Sequence, residues 1–138
     1  MAYAGDLTPR QAFDLLAQRT EAVLVDVRTQ AEWSYVGVAD LSGLGKRCVL
    51  AEWVGFPDGK PNAGFLDELT AAGVTPGAPV VFLCRSGVRS VAAATAATAA
   101  GLGPAFNVLE GFEGPLDDAR HRGGGGGWKA AGLPWTQS

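Results

Sequence analysis

The segment "VVFLCRSGVRS", Val80 to Ser90, decides the reading of this chain. Four apolar residues run straight into Cys84, and Arg85, Ser86, Gly87, Val88, Arg89 and Ser90 follow it. A short, fully apolar run is the pattern of a strand covered on both faces of a parallel sheet. The alanine-rich "SVAAATAATAAG" behind it reads as a helix that stops at Gly101. Cys84 is therefore expected at the carboxyl end of a central strand, with the helix starting about five residues later.

That position carries chemistry. In open α/β sheets, ligands bind beyond the carboxyl ends of the strands. Free N–H groups at a helix N-terminus carry partial positive charge and attract anions. A loop curled around the sulfur would turn such donors into a nest, and Gly87 permits the curl. The same field favours the thiolate, which is the nucleophilic form of cysteine. Arg85 and Arg89 add two permanent charges suited to an anionic substrate. The plainer reading is a buried structural cysteine ahead of a helix. The clustering of Arg, Ser, Gly and Arg within six positions weighs against it.

Outward from this loop, strand and helix patterns alternate. "LTPRQAFDLLAQR" opens with Thr8 as a cap, Pro9 at the first helical position and Gln11 closing a capping box. "AVLVDVR", Ala22 to Arg28, reads as a buried strand ending in charge, and "TQAEWSYV" as a short helical turn. "CVLAEW", Cys48 to Trp53, is a further strand candidate. "NAGFLDELTAAG" reads as a helix from an Asn62 cap to a Gly73 stop, with Phe65, Leu66 and Leu69 facing inward. "TPGAP" is a turn, and "AFNVL" a last strand. The alternation predicts an α/β fold with a mostly parallel central sheet and helices on both faces.

The 138 residues suit a single domain with one core. Hydrophobic residues make up 47% and charged residues 18%, a globular balance. With a net charge of −3, no bulk basic field points to nucleic acid, so any anion site must be built locally. The N-terminus lacks a signal-peptide pattern, and the longest apolar-looking run is too short to span a bilayer. A cytoplasmic protein without a membrane partner is expected. Cys48 and Cys84 do not suggest a disulfide framework, and the single histidine, His121, offers no metal cluster. Cys48 reads as structural, serving as a resolving thiol only if it lies close to Cys84. The tail holds five glycines, Gly123 to Gly127, with Trp128, Leu133 and Trp135 expected to pin the Gly-rich 118–138 segment back onto the domain or a partner. Aromatic residues there leave room for a dimer.

Taken together, these motifs resemble the rhodanese family of sulfurtransferases. "CRSGVRS" is similar to that family's six-residue active-site loop, here Cys84 to Arg89, followed by Ser90. "LVDVRTQAEW" resembles its N-terminal signature, carried here by Asp26, Arg28, Glu32 and Trp33. "NVLEGFEG" resembles the turn after the active-site helix, and "HRGGGGGWKAAGLPW" the end of single-domain members. One stretch departs. Where many members carry Gly-His-Ile-x-Gly-Ala, this chain has "SYVGVADLSGLGKR", so a different backbone route is expected there.

The resemblance implies a rhodanese-like fold and a thiosulfate sulfurtransferase. Catalytic Cys84 would take a sulfane sulfur from a small anionic donor and pass it, as a persulfide, to cyanide or a thiol, a protein thiol included. No metal or organic cofactor is implied. Arg85, Ser86, Gly87, Val88, Arg89 and Ser90 would hold the substrate, with Asp26 and Arg28 in support. Arg89 has two available roles, binding the anion or pairing with Asp26, and the second is preferred because Asp26 ends a neighbouring strand. Arg28 and Glu32 are then expected to form an ion pair near the helix start.

Two rivals remain open. Cysteine phosphatases and arsenate reductases also use a Cys-to-Arg loop, but related phosphatase loops are one residue longer. Four residues separate Cys84 from Arg89, a ring that suits one sulfur better than a phosphate. Arsenate reduction is not separated by spacing. The other rival is a binding module or persulfide carrier acting on a protein partner.

Overall fold

The caps visible in the sequence start the helices. In the computed structural model, which describes residues 3–55, 60–115, 118–122 and 126–137, Thr8 Oγ1 accepts from Gln11 N while Gln11 Oε1 accepts from Thr8 N. This reciprocal pair opens α1 (Pro9–Gln18). Thr29 and Glu32 repeat the device at α2 (Gln30–Tyr35).

Five strands form the central sheet: β1 (Gly5–Leu7), β2 (Val23–Asp26), β4 (Val49–Leu50), β5 (Pro76–Leu83) and β6 (Gly103–Val108). Their order is β1-β6-β5-β2-β4, and every neighbouring pair is parallel. The apolar run at Val80–Leu83 thus occupies the centre. Its side chains alternate between two cores, as strand geometry requires. Val80, Phe82 and Cys84 pack with Phe65 and Leu69 of α3 (Phe65–Ala71) and with Ala93, Ala94 and Ala97 of α4 (Val88–Ala99). Val81 and Leu83 pack on the opposite face with Ala12 and Leu16 of α1 and with Trp128 of α5 (Gly127–Ala130). Residues 80–83 are fully buried, each contributing about 1.5–3 kcal/mol of apolar burial. The alanines of α4 let that helix lie close to the sheet.

The fold departs locally from the sequence-based expectations. β5 begins at Pro76, because the "TPGAP" residues join the strand through an irregular register against β6. The second strand shrinks to Val49–Leu50, but the chain continues beside β2: Ala51 N and Trp53 N donate to Asp26 O and Val27 O. In α3 the buried residues are Phe65 and Leu69, four apart on one face, while Leu66 is turned to solvent. Gly64, not Asn62, holds the cap position; Asn62 Oδ1 accepts from Gly64 N.

The segment that departs from the family pattern forms β3 (Val38–Ala39), which pairs antiparallel with β7 (Trp135–Thr136), and a 3-10 turn at Ser42–Leu44. Trp128 is fully buried and donates from Nε1 to Pro134 O. Of the glycine run, residues 123–125 lie outside the described residues. Gly127 opens α5, with its backbone close against Gly111 and Gly114.

Candidate active site

Strand β5 ends at Leu83, and Cys84 is the next residue. Its backbone carbonyl accepts from Phe112 N at 2.7 Å, and Arg85 O accepts from Glu113 N and Gly114 N. The turn after β6 therefore fixes the base of the loop. Gly111 sits where a Cβ would run into the Cys84 and Arg85 backbone, so the turn can approach only as glycine. The loop then curls through Gly87, whose φ of +109° lies in the left-handed region. The curl returns Gly87 N–H to the Cys84 sulfur at 3.0 Å. Helix α4 starts at Val88, one residue beyond, so the free N–H groups of its first turn follow directly on this donor in the chain. Cys84 itself is buried, and Ser90 Oγ lies 3.2 Å from the sulfur. The result is a shielded sulfur that takes one backbone donor, Gly87 N–H, at the start of a helix.

The charged residues pair differently from expectation. Arg89 does not pair with Asp26, and Arg28 does not pair with Glu32. Instead Arg89 Nη1 and Nη2 donate to the two oxygens of Glu32 at 2.7 and 2.9 Å. Arg28 donates from Nε and Nη2 to Asp26 and from Nη2 to Gly37 O, with its guanidinium 4.3 Å from the Phe112 ring. The reason is local. Asp26 ends β2 and Arg28 lies only two residues beyond, where its backbone N–H and guanidinium both fold back on that carboxylate. Glu32, held by the Thr29 cap, is then the carboxylate that meets Arg89.

These two pairs sit in different surroundings. Asp26 and Arg28 are fully buried, whereas Glu32 and Arg89 keep about a fifth of their side chains exposed. Burial works to raise the Glu32 carboxyl, but hydrogen bonds and charge from Arg89, with help from Thr29, hold it below the ordinary carboxylate range. The Glu32 hydrogen bond raises Arg89 in turn, against the effect of burial.

Arg85 is exposed and lines a cavity of about 460 Å³ with Thr29, Glu32, Tyr35, Glu113 and Arg122. Val88 points to solvent, and Glu113 is half-buried in that cavity wall. Ser90 is fully buried and donates to Asn107 Oδ1. Asn107 Nδ2 donates to Asp6, which also accepts from Tyr3. Asn107 and Asp6 escaped sequence reasoning, because only strand pairing brings them to the loop; a polar residue inside the apolar "AFNVL" was the available signal.

Other sequence candidates lie elsewhere. Cys48 is half-buried, and burial pushes its thiol well up. It stands two strands and three residues along from Cys84, roughly 10 Å in each direction, beyond disulfide reach. Trp53 packs edge-on against Phe65. His121 is exposed.

Comparison with known proteins places this geometry. Residues 8–116 match the rhodanese-like domain family. The chain is 36% identical over 126 residues to the Rickettsia conorii protein RC0915, covering 91% of each. It is 55% identical to Rv0390 of M. tuberculosis, whose crystal structure superposes with a TM-score of 0.90 over 99% of both chains. A polysulfide-sulfur transferase homodimer from Wolinella succinogenes shares the fold, with a TM-score of 0.64 and 21% identity over 96% of this chain and 78% of that one.

Proposed function

The chain belongs to the rhodanese-like domain family, and on that footing we propose that it is a thiosulfate sulfurtransferase acting through a Cys84 persulfide. The observation that carries this reading is the Cys84 sulfur beside Gly87 N–H at the start of α4.

The donor on the sulfur supports a reaction in two steps. The Cys84 thiolate attacks the outer sulfur of thiosulfate, or of a similar sulfane donor. The new S–S bond forms as the old one breaks, and sulfite leaves with the electron pair. The terminal persulfide sulfur carries the negative charge, which loop and helix N–H groups stabilise. Cyanide then attacks that outer sulfur, leaves as thiocyanate and restores the thiolate; a thiol acceptor does the same to give its own persulfide. This is covalent catalysis in two half-reactions. Arg85 and Arg122, which line the cavity beside the loop, are the cations for an incoming anion, because Arg89 is engaged by Glu32. Asp26 and Arg28 hold the strand end behind the site.

The test is intact mass after incubation with thiosulfate, then with cyanide, for the wild type and Cys84→Ala. The expected result is a gain of one sulfur on the wild type alone, removed by cyanide as thiocyanate. A folded wild type that gains nothing overturns the proposal and turns attention to arsenate or phosphate substrates, or to a binding role.

A further inference from the structure

A hydrogen-bond chain that is buried from Ser90 to Asn107 and reaches the surface at Asp6 has only one consistent direction. Asp6 is a carboxylate and accepts only, so the amide nitrogen of Asn107 must face it, as it does at 3.0 Å. Asn107 Oδ1 then faces Ser90 and takes its single hydroxyl proton. What Ser90 presents to the Cys84 sulfur at 3.2 Å is therefore a lone pair. A lone pair suits an S–H donor and opposes a thiolate. Tyr3 donates to the same Asp6 oxygen at 2.8 Å, which leaves the direction unchanged.

From this we propose that Asn107, oriented by Asp6, is a positioning residue that aims the Ser90 hydroxyl away from the sulfur while Cys84 carries its proton. When the proton passes to solvent, Ser90 turns its O–H onto the thiolate and leaves Asn107 Oδ1 without a donor. Asn107 is 3% exposed and Ser90 fully buried, so water does not readily replace that bond. Gly87 N–H donates to the sulfur in both states. The chain thus restrains the thiolate until substrate draws on it. The proposal rests on Cys84 being the reacting sulfur. The other charged groups near the loop are Arg89 with Glu32, Asp26 with Arg28, Arg85, Arg122, and Glu110 and Glu113 on the turn after β6. Asn107→Ala changes no charge, whereas Asp6→Asn removes the Asp6 carboxylate itself, so Asn107→Ala is the deciding variant.

The experiment reads the ultraviolet absorbance of the Cys84 thiolate at mildly acid pH. The signal of the matching Cys84→Ala protein is subtracted, which removes Cys48 and the tyrosines. Asn107→Ala frees the Ser90 hydroxyl and should raise the thiolate fraction about fivefold. Asp6→Asn, on an exposed and nearly isosteric side chain that spares the fold, lets the Asn107 amide turn and should raise it about twofold. Ser90→Ala loses the opposing lone pair but has no hydroxyl to turn onto the thiolate, and should rise clearly less than Asn107→Ala. The proposal is overturned if Asn107→Ala and Asp6→Asn stay at the wild-type fraction while only melting temperature changes, or if Ser90→Ala rises as far as Asn107→Ala. The titration needs no sulfur donor, so its failure is separate from a failure of the sulfurtransferase reading.

Discussion

The site is framed by two carboxylate–guanidinium pairs that differ in almost everything but chemistry. Asp26 and Arg28 lie behind the loop with no exposed side-chain surface. Glu32 and Arg89 lie in front, joined across 57 positions of chain and partly open to solvent. Burial makes the rear pair costly to disturb, because removing one partner strands a charge in a low-dielectric core. Solvent screens the front pair, so it can exchange partners at small cost. The rear pair is a fixed wall. The front pair is an adjustable latch on the loop that carries the nucleophile.

Breaking the rear pair should have the largest effect. Arg28→Ala leaves Asp26 charged and buried, and also removes the contact with Phe112. Unfolding in urea should show a loss of about 3–5 kcal/mol. A loss under about 1 kcal/mol would mean that water reaches Asp26 and that the contrast between the pairs is false.

Between wall and latch stands the backbone of the loop. Gly87→Ala forces a side chain into a left-handed φ, though space for the Cβ exists. The expected loss of stability is about 1–2 kcal/mol, with a larger fall in sulfur transfer, because relaxing φ withdraws the N–H from the sulfur. Wild-type activity in a destabilised Gly87→Ala protein would show that this donor is dispensable.

The smallest stability effect should come from the latch. Glu32→Gln should cost about 1 kcal/mol or less at neutral pH. It leaves the Arg89 charge uncompensated, so KM for an anionic donor should fall about threefold with kcat little changed; a rise in KM would show that Glu32 is needed to shape the loop. The sign of the pH dependence follows from the lowered Glu32 carboxyl. Its contribution is full above the ordinary carboxylate range and is lost as pH falls through its folded value. The stability gap between wild type and Glu32→Gln should therefore close in acid, read as converging urea midpoints.

Much of the site was legible before any coordinates. A strand ending at a thiol, a glycine to turn the loop and a helix behind it are all local patterns, set by burial periodicity and backbone freedom. The Thr8 and Thr29 caps belong to the same class, although only the first was recognised. The ion pairs were not legible in this way. Four charged side chains near one strand end allow more than one pairing, and the choice depends on which faces the strand and α2 present. Leu66 fails for a related reason: hydrophobicity says that a residue can be buried, not that a neighbour covers it.

The sequence by itself determined the family, the α/β alternation and the position of Cys84 at a strand-to-helix junction, because these follow from short-range spacing. Only the tertiary structure decided that Glu32 latches Arg89 and that Arg28 closes on Asp26. It alone set Asn107 and Asp6, 101 positions apart, behind Ser90. Those contacts arise where β1, β6 and β5 lie side by side, and parallel pairing joins residues that no local spacing connects.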